Sequence, residues 1–558
     1  MEDLVYTVKK TTKLLLNKEK IQVLLVFLTT FVIRLFTLNR ESLHIDEYAQ
    51  ANTYYLDFWS MINASFVWGR HPPLDFIIGW LVVKILPYSD ALVRMPSLIF
   101  GSLSASLIFL LAKRYSSLFG ASCAAIFIAI WFPSIFYSQY VRPYTIFIAL
   151  FSAALLLFSR NINNKELSLL FVSVLILLPW SRGADGVLAS SLILFFYVVK
   201  NIKRIKYFQN IFKISLVLIS NALVFFEMNS TNHEVIFAST EGIFKKITTI
   251  PSIWFSLISY DNLLLGIFFL ISLFLVFVMK SVSVELKMII FIALSHSLVS
   301  VAFVSVFSNQ GIYPRYQVIQ IVLMALVIAA IHPHRYTWNN LSKILALVTF
   351  AVGISIGINT SSNMNKVQNF EFSKLNMVDN QSKVAMILGT SFQYLPGWPQ
   401  IISQEKITPL WISQYAVSDS RAISGLIILA EPDVGFLAKK DSILELGSTG
   451  TNKSKKSDTY IEYLDVQSGF DEISKNQIMK DNVWFWLSKI KWESAQSDSV
   501  QLSNSITYLC EKQWLSSKVD LGNSFGYWGQ QEVLSSFLVK NGIFIDCLNN
   551  TYSMGQAK

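Results

Sequence analysis

The sequence predicts an α-helical membrane protein with many spans, followed by a soluble C-terminal domain of the α/β or α+β class. Hydrophobic residues make up 53% of the 558-residue chain and charged residues only 15%, whereas soluble domains carry about 25% charged residues. Long apolar runs alternate with short polar loops as far as residue 359, and the pattern then changes. The expected domains are therefore residues 1–359 and 360–558.

The apolar runs are expected to form transmembrane helices, because lipid does not tolerate exposed backbone polar groups. A helix crosses the hydrocarbon core with about 20 residues, so the shorter runs must include flanking residues, and the total is about 11–13 transmembrane helices. The runs lie near 21–38, 91–112, 121–137, 145–158, 167–179, 186–199, 211–227, 262–279, 288–307, 318–331 and 342–358.

The charges of the connecting loops predict the topology. With the N-terminus inside, the basic loops fall on the cytoplasmic side, as the positive-inside rule expects. These loops contain Lys113–Arg114, Arg160 with Lys165, residues 200–206, Lys280 with Lys287, and His334–Arg335. The topology accounts for the net charge of +10 without a nucleic-acid partner, and it predicts a multi-pass protein of the plasma (inner) membrane.

The remaining loops, at 138–144, 180–186, 228–261 and 309–316, then face outward together with the C-terminal domain. Residues 73–88 do not fit, because a full crossing there would invert every later loop. Lys84 within this segment also argues against a plain lipid-facing span. A re-entrant or interfacial helix is therefore expected, or a missed crossing nearby.

In the C-terminal domain, runs such as Gly425–Leu429 and Gly542–Ile545 are typical of strands. Cys123 lies in an apolar run, where it is expected to be a packing residue. Cys510 and Cys547 lie on the outer side of the predicted topology, where a disulfide is possible.

The first candidate for chemistry is the acidic pair Asp46–Glu47 in the first outer loop, residues 39–72. A carboxylate there can act as general base for an acceptor hydroxyl within hydrogen-bond reach. The alternative is a solvated loop in which Asp46 or Ser42 caps the next helix. Composition alone favours this alternative.

Two outer loops place an arginine among tyrosines, Arg142 with Tyr144 and Arg315 with Tyr316. A guanidinium offers a planar set of donors suited to phosphate oxygens, but Arg and Tyr also anchor helices at the headgroups. His71, at the end of the first outer loop, leaves the same two possibilities open.

Arg94, and Arg182 with Asp185, are interpreted as structural pairs or anchors. The sequence holds no Gly-rich phosphate loop, HExxH motif or Cys/His metal cluster at a usable spacing, and no Gly-x-Ser-x-Gly elbow. An enzyme of this kind would need a substrate that is already activated, such as a lipid phosphate ester.

The order of the motifs resembles a known family. One span is followed by Asp46-Glu47, then His71-Pro72-Pro73-Leu74, then Arg94-Met95-Pro96-Ser97 with Gly101, and then Arg142-Pro143-Tyr144. This set resembles the bacterial relatives of dolichyl-phosphate-mannose protein mannosyltransferases. They belong to the GT-C glycosyltransferase superfamily, which also includes the aminoarabinose transferases that act on lipid A. The resemblance covers residues 20–330 and leaves the C-terminal domain unmatched.

The resemblance implies transfer of a sugar from a polyprenyl-phosphate donor to a lipid, protein or polysaccharide acceptor at the extracytoplasmic face, with inversion. Asp46 would be the catalytic base with Glu47 as its neighbour. The substrate-binding residues would be His71, Arg142 and Arg315, with Lys84, Tyr144 and Tyr316 beside them. No metal or other cofactor is expected.

Other functions remain open at this point. A transporter or flippase of lipid-linked sugars would use the same charged cavity without a catalytic base. A polysaccharide polymerase would lengthen chains on one lipid carrier, and a membrane-anchored sensor would bind a ligand through its C-terminal domain.

Overall fold

The structure is a computed structural model. It describes residues 2–36, 38, 47, 50–51, 53–54, 56–67, 71–86, 90–162, 164, 166–202, 208–231, 250–252, 254–255, 258–259, 263–307, 318–333 and 340–366, together with eight strands beyond residue 380. The chain divides into two compact units. The first comprises Met1–Leu38 with Thr53–Ser362, and the second comprises Asn39–Asn52 with Asn363–Lys558. The acidic segment is thus grouped with the C-terminal part of the chain rather than with the helices.

The described helices confirm a helical membrane protein. They are α1 Glu2–Leu35, α2 Phe58–Val67, α3 Leu74–Ile85, α4 Asp90–Tyr115, α5 Leu118–Ile130, α6 Phe132–Ser138, α7 Tyr144–Asn161, α8 Leu169–Asn201, α9 Phe208–Thr231, α10 Leu263–Val278, α11 Val284–Phe307, α12 Ile319–Ala330 and α13 Asn340–Lys366. In the part of the chain that the structure describes, five helices are long and apolar enough to cross a membrane, or six if α5 and α6 form one bent span. The larger number expected from the sequence stays a prediction.

The starts of several helices follow from local sequence. The side chain of Ser117 accepts a hydrogen bond from the Gly120 amide at the start of α5, and Ser168 does the same for Phe171 at the start of α8. Such caps satisfy an amide that has no partner within the helix. Pro143 precedes α7 directly, where its missing N–H and fixed φ are tolerated.

Helix α8 is a hairpin rather than a straight rod. Its backbone leaves the helical region at Arg182 and Gly183. The Ser190 hydroxyl donates to the Leu175 carbonyl at 3.0 Å, which brings the second arm back along the first. The two arms correspond to the apolar runs 167–179 and 186–199, and the turn between them corresponds to the loop at 180–186.

Contacts among the helices sort the ends of the bundle into two groups. Lys113 Nζ donates to Gln22 Oε1 at 2.8 Å, and the Ser117 amide donates to the His332 carbonyl at 2.8 Å. At the other end, Arg94 Nη1 donates to the Leu38 carbonyl at 3.2 Å. Each contact joins helix ends that the predicted topology puts on one face of the membrane.

Helix α3 covers most of the segment 73–88 that did not fit the topology. Its 12 residues give a length of about 18 Å, well short of the roughly 30 Å hydrocarbon core. Tyr54 packs on Gly79, where a β-carbon would overlap its ring, and Trp80 Nε1 donates to the Leu56 carbonyl at 3.1 Å. The helix is too short to cross the hydrocarbon core by itself, and its re-entrant or interfacial placement stays a prediction.

The second unit contains a mixed sheet. The strands are β1 Lys383–Ile387, β2 Pro409–Ile412, β3 Ala416–Val417, β4 Leu426–Leu429, β5 Ile461–Glu462, β6 Val483–Ile490, β7 Val519–Phe525 and β8 Val533–Lys540. Six of them form a sheet in the order β2-β4-β1-β6-β8-β7, parallel from β2 to β6 and antiparallel from β6 to β7, and β3 pairs with β5. Strand β4 confirms the strand predicted at 425–429, and the run 542–545 lies outside the described residues.

Candidate functional site

The acidic pair is only partly described. Asp46 lies outside the described residues, as do Arg315 and Tyr316. Glu47 has helical backbone and is 1% exposed, and Gln50 and Ala51 are buried on the same stretch. Residues three and four apart share a helix face, so Glu47, Gln50 and Ala51 lie on one buried face. The role of Asp46 as a base stays a prediction.

His71 and Lys84 flank α3. The His71 amide donates to the Ser65 carbonyl at 3.1 Å, and its side chain is half-buried. Lys84 is exposed near the end of α3, and its ammonium lies 5.5 Å from the centre of the Trp80 ring. The Trp80 ring is thus a cation–π partner of the Lys84 ammonium.

Arg142 and Tyr144 lie in a tight turn between α6 and α7. The Arg142 amide donates to the Tyr140 carbonyl and the Tyr144 amide donates to the Arg142 carbonyl, both at 2.8 Å. The Tyr144 ring is buried and packs against Tyr137 and Tyr140, with ring centres 5.0 and 6.3 Å apart. These two hydrogen bonds hold the backbone of the turn, and the side chain of Arg142 is half-buried.

Arg182, which the sequence analysis interpreted as structural, meets this turn. Its guanidinium carbon lies 4.9 Å from the centre of the Tyr144 ring and 5.5 Å from that of Phe147. Its Nε lies 3.2 Å from Asp185 Oδ2, and the two side chains are 5% and 18% exposed. Arg182 is thus a buried cation that contacts two aromatic rings and one carboxylate.

Asp185 connects the arginine to α11. The Ser300 hydroxyl donates to Asp185 Oδ1 at 3.0 Å, so both carboxylate oxygens have partners. His296 Nε2 lies 3.0 Å from the Asp185 carbonyl oxygen. A carbonyl only accepts, which places a proton on Nε2. His296 Nδ1 is buried, with no hydrogen-bond partner among the described residues.

The hairpin turn of α8 places these groups together. Gly183 has φ 52° and ψ −123°, a conformation that side chains with a β-carbon avoid. Gly186 lies so close to the first arm that a β-carbon would overlap the Leu178 carbonyl oxygen. The two glycines therefore permit a turn that points Arg182 and Asp185 into the bundle.

The structure brings Tyr144 of the predicted site together with Arg182 and Asp185, and the substrate-binding roles of Arg142 and Tyr144 stay predictions. Sequence reasoning did not single out His296 and Ser300, which contact Asp185. His296 and Ser300 lie inside an apolar run, where a polar side chain is ordinarily interpreted as part of the packed interior. Their spacing of four residues on one helix face was the available signal. Arg94, by contrast, is buried and bonded to the Leu38 carbonyl, as the anchor interpretation expected.

The cluster contains a guanidinium, a group that binds anions in proteins. A guanidinium with fixed partners keeps its direction, and its planar set of donors matches the geometry of phosphate oxygens. Within the described residues, no group of three His, Cys, Asp or Glu side chains could hold a metal ion. That the reaction needs no metal stays a prediction.

No protein-family model matches the chain, and no curated protein matches it. Among solved structures, it is similar to ArnT from Cupriavidus metallidurans in the apo state, with 12% identity over 92% of this chain and 97% of that chain, and a TM-score of 0.47. ArnT bound to undecaprenyl phosphate gives 11% identity over 92% of this chain and 98% of that chain, and a TM-score of 0.45.

The Pmt1-Pmt2 protein O-mannosyltransferase complex of S. cerevisiae, bound to the sugar donor, gives 20% identity over 39% of this chain and 34% of that chain, with a TM-score of 0.30. ArnT is a lipid A aminoarabinose transferase, and both proteins are GT-C enzymes. These neighbours are of the kinds that the sequence was expected to resemble. At these identities and TM-scores, the likeness carries no conclusion about what this chain does.

Proposed function

We propose that this protein is a glycosyltransferase of the plasma membrane that moves a sugar from a polyprenyl-phosphate donor to an acceptor hydroxyl at the extracytoplasmic face. The observation that carries the proposal is the buried guanidinium of Arg182, fixed over Tyr144 two residues from Arg142. The ordered motifs from Asp46 to Tyr144 support the same function.

A lipid phosphate needs such a cation because its charge must leave water to reach a site at the edge of the bilayer. Donors that are fixed before the reaction stabilise charge without reorganising during it. As the sugar departs, negative charge grows on the phosphate oxygen that bound it. Arg142 and Arg182 are proposed to neutralise that charge, together with His71, Arg315 and Lys84.

The transfer is proposed to be a single displacement. The acceptor oxygen forms a bond to the anomeric carbon while the Asp46 carboxylate takes the acceptor proton. The bond from that carbon to the phosphate oxygen breaks, and the polyprenyl phosphate leaves with the electron pair. One displacement inverts the anomeric configuration. Glu47 is proposed to support Asp46, and the outward-facing C-terminal domain to help select the acceptor.

The test is the variant Asp46→Asn, assayed as purified protein against a panel of polyprenyl-phosphate sugars with the released carrier measured. Losing a general base lowers the rate by about a hundredfold or more, and donor binding should survive. Wild-type transfer by this variant would refute the mechanism.

The matched control is Asp57→Asn. Asp57 is an exposed carboxylate whose Oδ1 accepts from the amides of Trp59 and Ser60 at the start of α2, and an asparagine can cap in the same way. Transfer should stay at the wild-type rate. A flippase would move the donor across vesicles whether or not Asp46 is present, and a polymerase would release products longer than one sugar.

A further inference from the structure

We infer that Arg34 is a positioning residue, whose guanidinium braces α6 and so holds the turn that carries Arg142 in place for the donor phosphate. The inference rests on the proposed function for its kinetic consequence. Its structural part, the bracing of the turn, stands on the hydrogen bonds alone.

The first observation is the burial of a charged side chain in a helix that exposes many apolar side chains. Leu28, Val32 and Leu35 on the same part of α1 are exposed, whereas Arg34 is fully buried. An arginine at such depth is costly, and it persists where polar groups inside the bundle receive its donors. The question is which groups these are.

The second observation is the break between α5 and α6, which bends the pair by 60°. Trp131 is extended there, and Pro133 has no N–H to donate. The break leaves carbonyl groups of the last turn of α5 without their helical donors. Arg34 Nη2 donates to one of them, the Ile128 carbonyl, at 3.0 Å.

The third observation is that the same guanidinium reaches along the whole of α6. Nη2 also donates to Ser134 Oγ at 2.9 Å, in the first turn, and Nε donates to Ser138 Oγ at 2.6 Å, at the last residue. The Ser138 hydroxyl itself donates a hydrogen bond to the Ile135 carbonyl at 2.6 Å. A rigid, planar group thus fixes a seven-residue helix at both ends.

The braced helix leads directly into the turn with Arg142. Gln139 Nε2 donates to the Arg34 carbonyl at 2.6 Å, which ties the first residue of the turn to α1. On the other side, a β-carbon on Gly101 of α4 would lie 2.5 Å from the Ser138 β-carbon. Ser138 and Gln139 are held between α1 and α4, and only Tyr140 and Val141 separate them from Arg142.

A purely structural role would lower the amount of folded protein and leave the kinetics of the folded fraction unchanged. A positioning role shifts Arg142 without unfolding the bundle, so it raises the donor KM more than it lowers kcat. It also loosens the packing of Val141, which is 2% exposed. These two readouts separate the roles.

The experiment uses the full chain in membranes, with Cys123, Cys510 and Cys547 replaced by serine and Val141→Cys as a reporter. In this background, Arg34→Gln should increase the labelling rate of the reporter by a water-soluble maleimide. In protein without the reporter, Arg34→Gln should raise the donor KM by about tenfold, the effect expected for losing charge-assisted hydrogen bonds. Arg34→Lys should fall between, because an ammonium lacks the planar fork.

The control is Arg160→Gln, which removes an exposed arginine at the end of α7 and should change neither readout. Should Arg34→Gln fail to fold, Ser134→Ala and Ser138→Ala each remove one acceptor of the guanidinium, and each should increase the labelling rate and the donor KM by a smaller factor. Unchanged labelling, or faster labelling with an unchanged KM, would overturn the inference. If wild-type protein transfers no sugar, the proposed function fails, and the labelling still decides whether Arg34 braces the turn.

Discussion

Both carboxylate oxygens of Asp185 contact other side chains: Oδ2 pairs with Arg182, and Oδ1 accepts a hydrogen bond from Ser300. The direction of the Arg182 guanidinium therefore depends on a residue that need not touch the substrate. The cation–π contacts with Tyr144 and Phe147 hold the group near the two rings but set no direction for its N–H groups. We expect Asp185 to supply that last constraint.

The first residue-scale prediction concerns this pair. Asp185→Asn should raise the donor KM by roughly tenfold, since the ion pair with Arg182 becomes a weaker hydrogen bond to an uncharged amide, which holds the guanidinium less firmly. Arg182→Met should lower kcat as well, because the leaving phosphate loses a cation. Ser300→Ala, which removes only a donor to Asp185, should have the smallest effect. Equal kinetics in Arg182→Met and wild type would return Arg182 to a structural role.

A second residue-scale prediction concerns pH. His332 follows α12, and its Nε2 lies 3.1 Å from Thr349 Oγ1, with the Phe119 ring edge-on. Burial lowers its pKa to about 4 from an ordinary 6.5, so the folded state keeps the ring neutral. The unfolded chain takes up the proton first as pH falls, and stability is therefore lost between about pH 6.5 and 4.

The measurement is the thermal midpoint of the purified protein in detergent between pH 7.5 and 5. His332→Gln keeps an amide donor for Thr349 and cannot be protonated, so its midpoint should fall less across this range than that of wild type. The same slope in both proteins would mean that His332 does not titrate on unfolding.

At the residue scale, sequence reasoning found the groups that lie in loops and missed those within spans. Arg142 and Tyr144 can be singled out because they lie in a short polar loop between apolar runs. His296 and Ser300 lie in the middle of an apolar run, and only the turn of α8 reveals what they contact. Arg34 was not singled out either, because an arginine at the end of an apolar helix is ordinarily expected to be an interfacial anchor.

At the scale of elements, apolar runs predicted most described helices because backbone groups in lipid must bond within their own segment. Breaks were harder to predict. The bend between α5 and α6 falls inside the run 121–137, where Pro133 was the available sign. The hairpin of α8 was separated correctly into 167–179 and 186–199, because Arg182 and Asp185 interrupt the apolar pattern.

The element-scale prediction tests the hairpin. Gly186→Ala would put a methyl group into the Leu178 carbonyl, and overpacking of this kind costs about 1–3 kcal/mol of unfolding free energy. The thermal midpoint should fall, and donor binding should weaken because Arg182 moves with the turn. Gly353→Ala on α13 is the control, since its β-carbon would meet nothing within 4 Å, and the midpoint should stay or rise. A tolerated Gly186→Ala would mean that the arms do not pack as described.

At the scale of the whole molecule, the proposed chemistry depends on which face of the membrane holds the arginine turn. The described contacts sort the helix ends into two groups, and the loop charges distinguish the groups. Lys113 and Lys280 mark one end, and α2 belongs to the first outer loop at the other. The C-terminal sheet could not be placed by such reasoning, because its strands carry no charge pattern that refers to the membrane.

The orientation can be tested with two matched cysteines. Ser60, on α2, and Ser281, between α10 and α11, are both exposed, and serine to cysteine changes one atom at each. In the background without other cysteines, a membrane-impermeant maleimide added to intact cells should label Ser60→Cys and leave Ser281→Cys unlabelled until the membrane is permeabilised. The reverse pattern would put Arg142 and Arg182 on the cytoplasmic side, where an extracytoplasmic transfer could not occur. Labelling of both cysteines in intact cells would mean that the predicted topology has the wrong number of crossings between residues 60 and 281. Segment 73–88 would then be the first candidate for a further crossing.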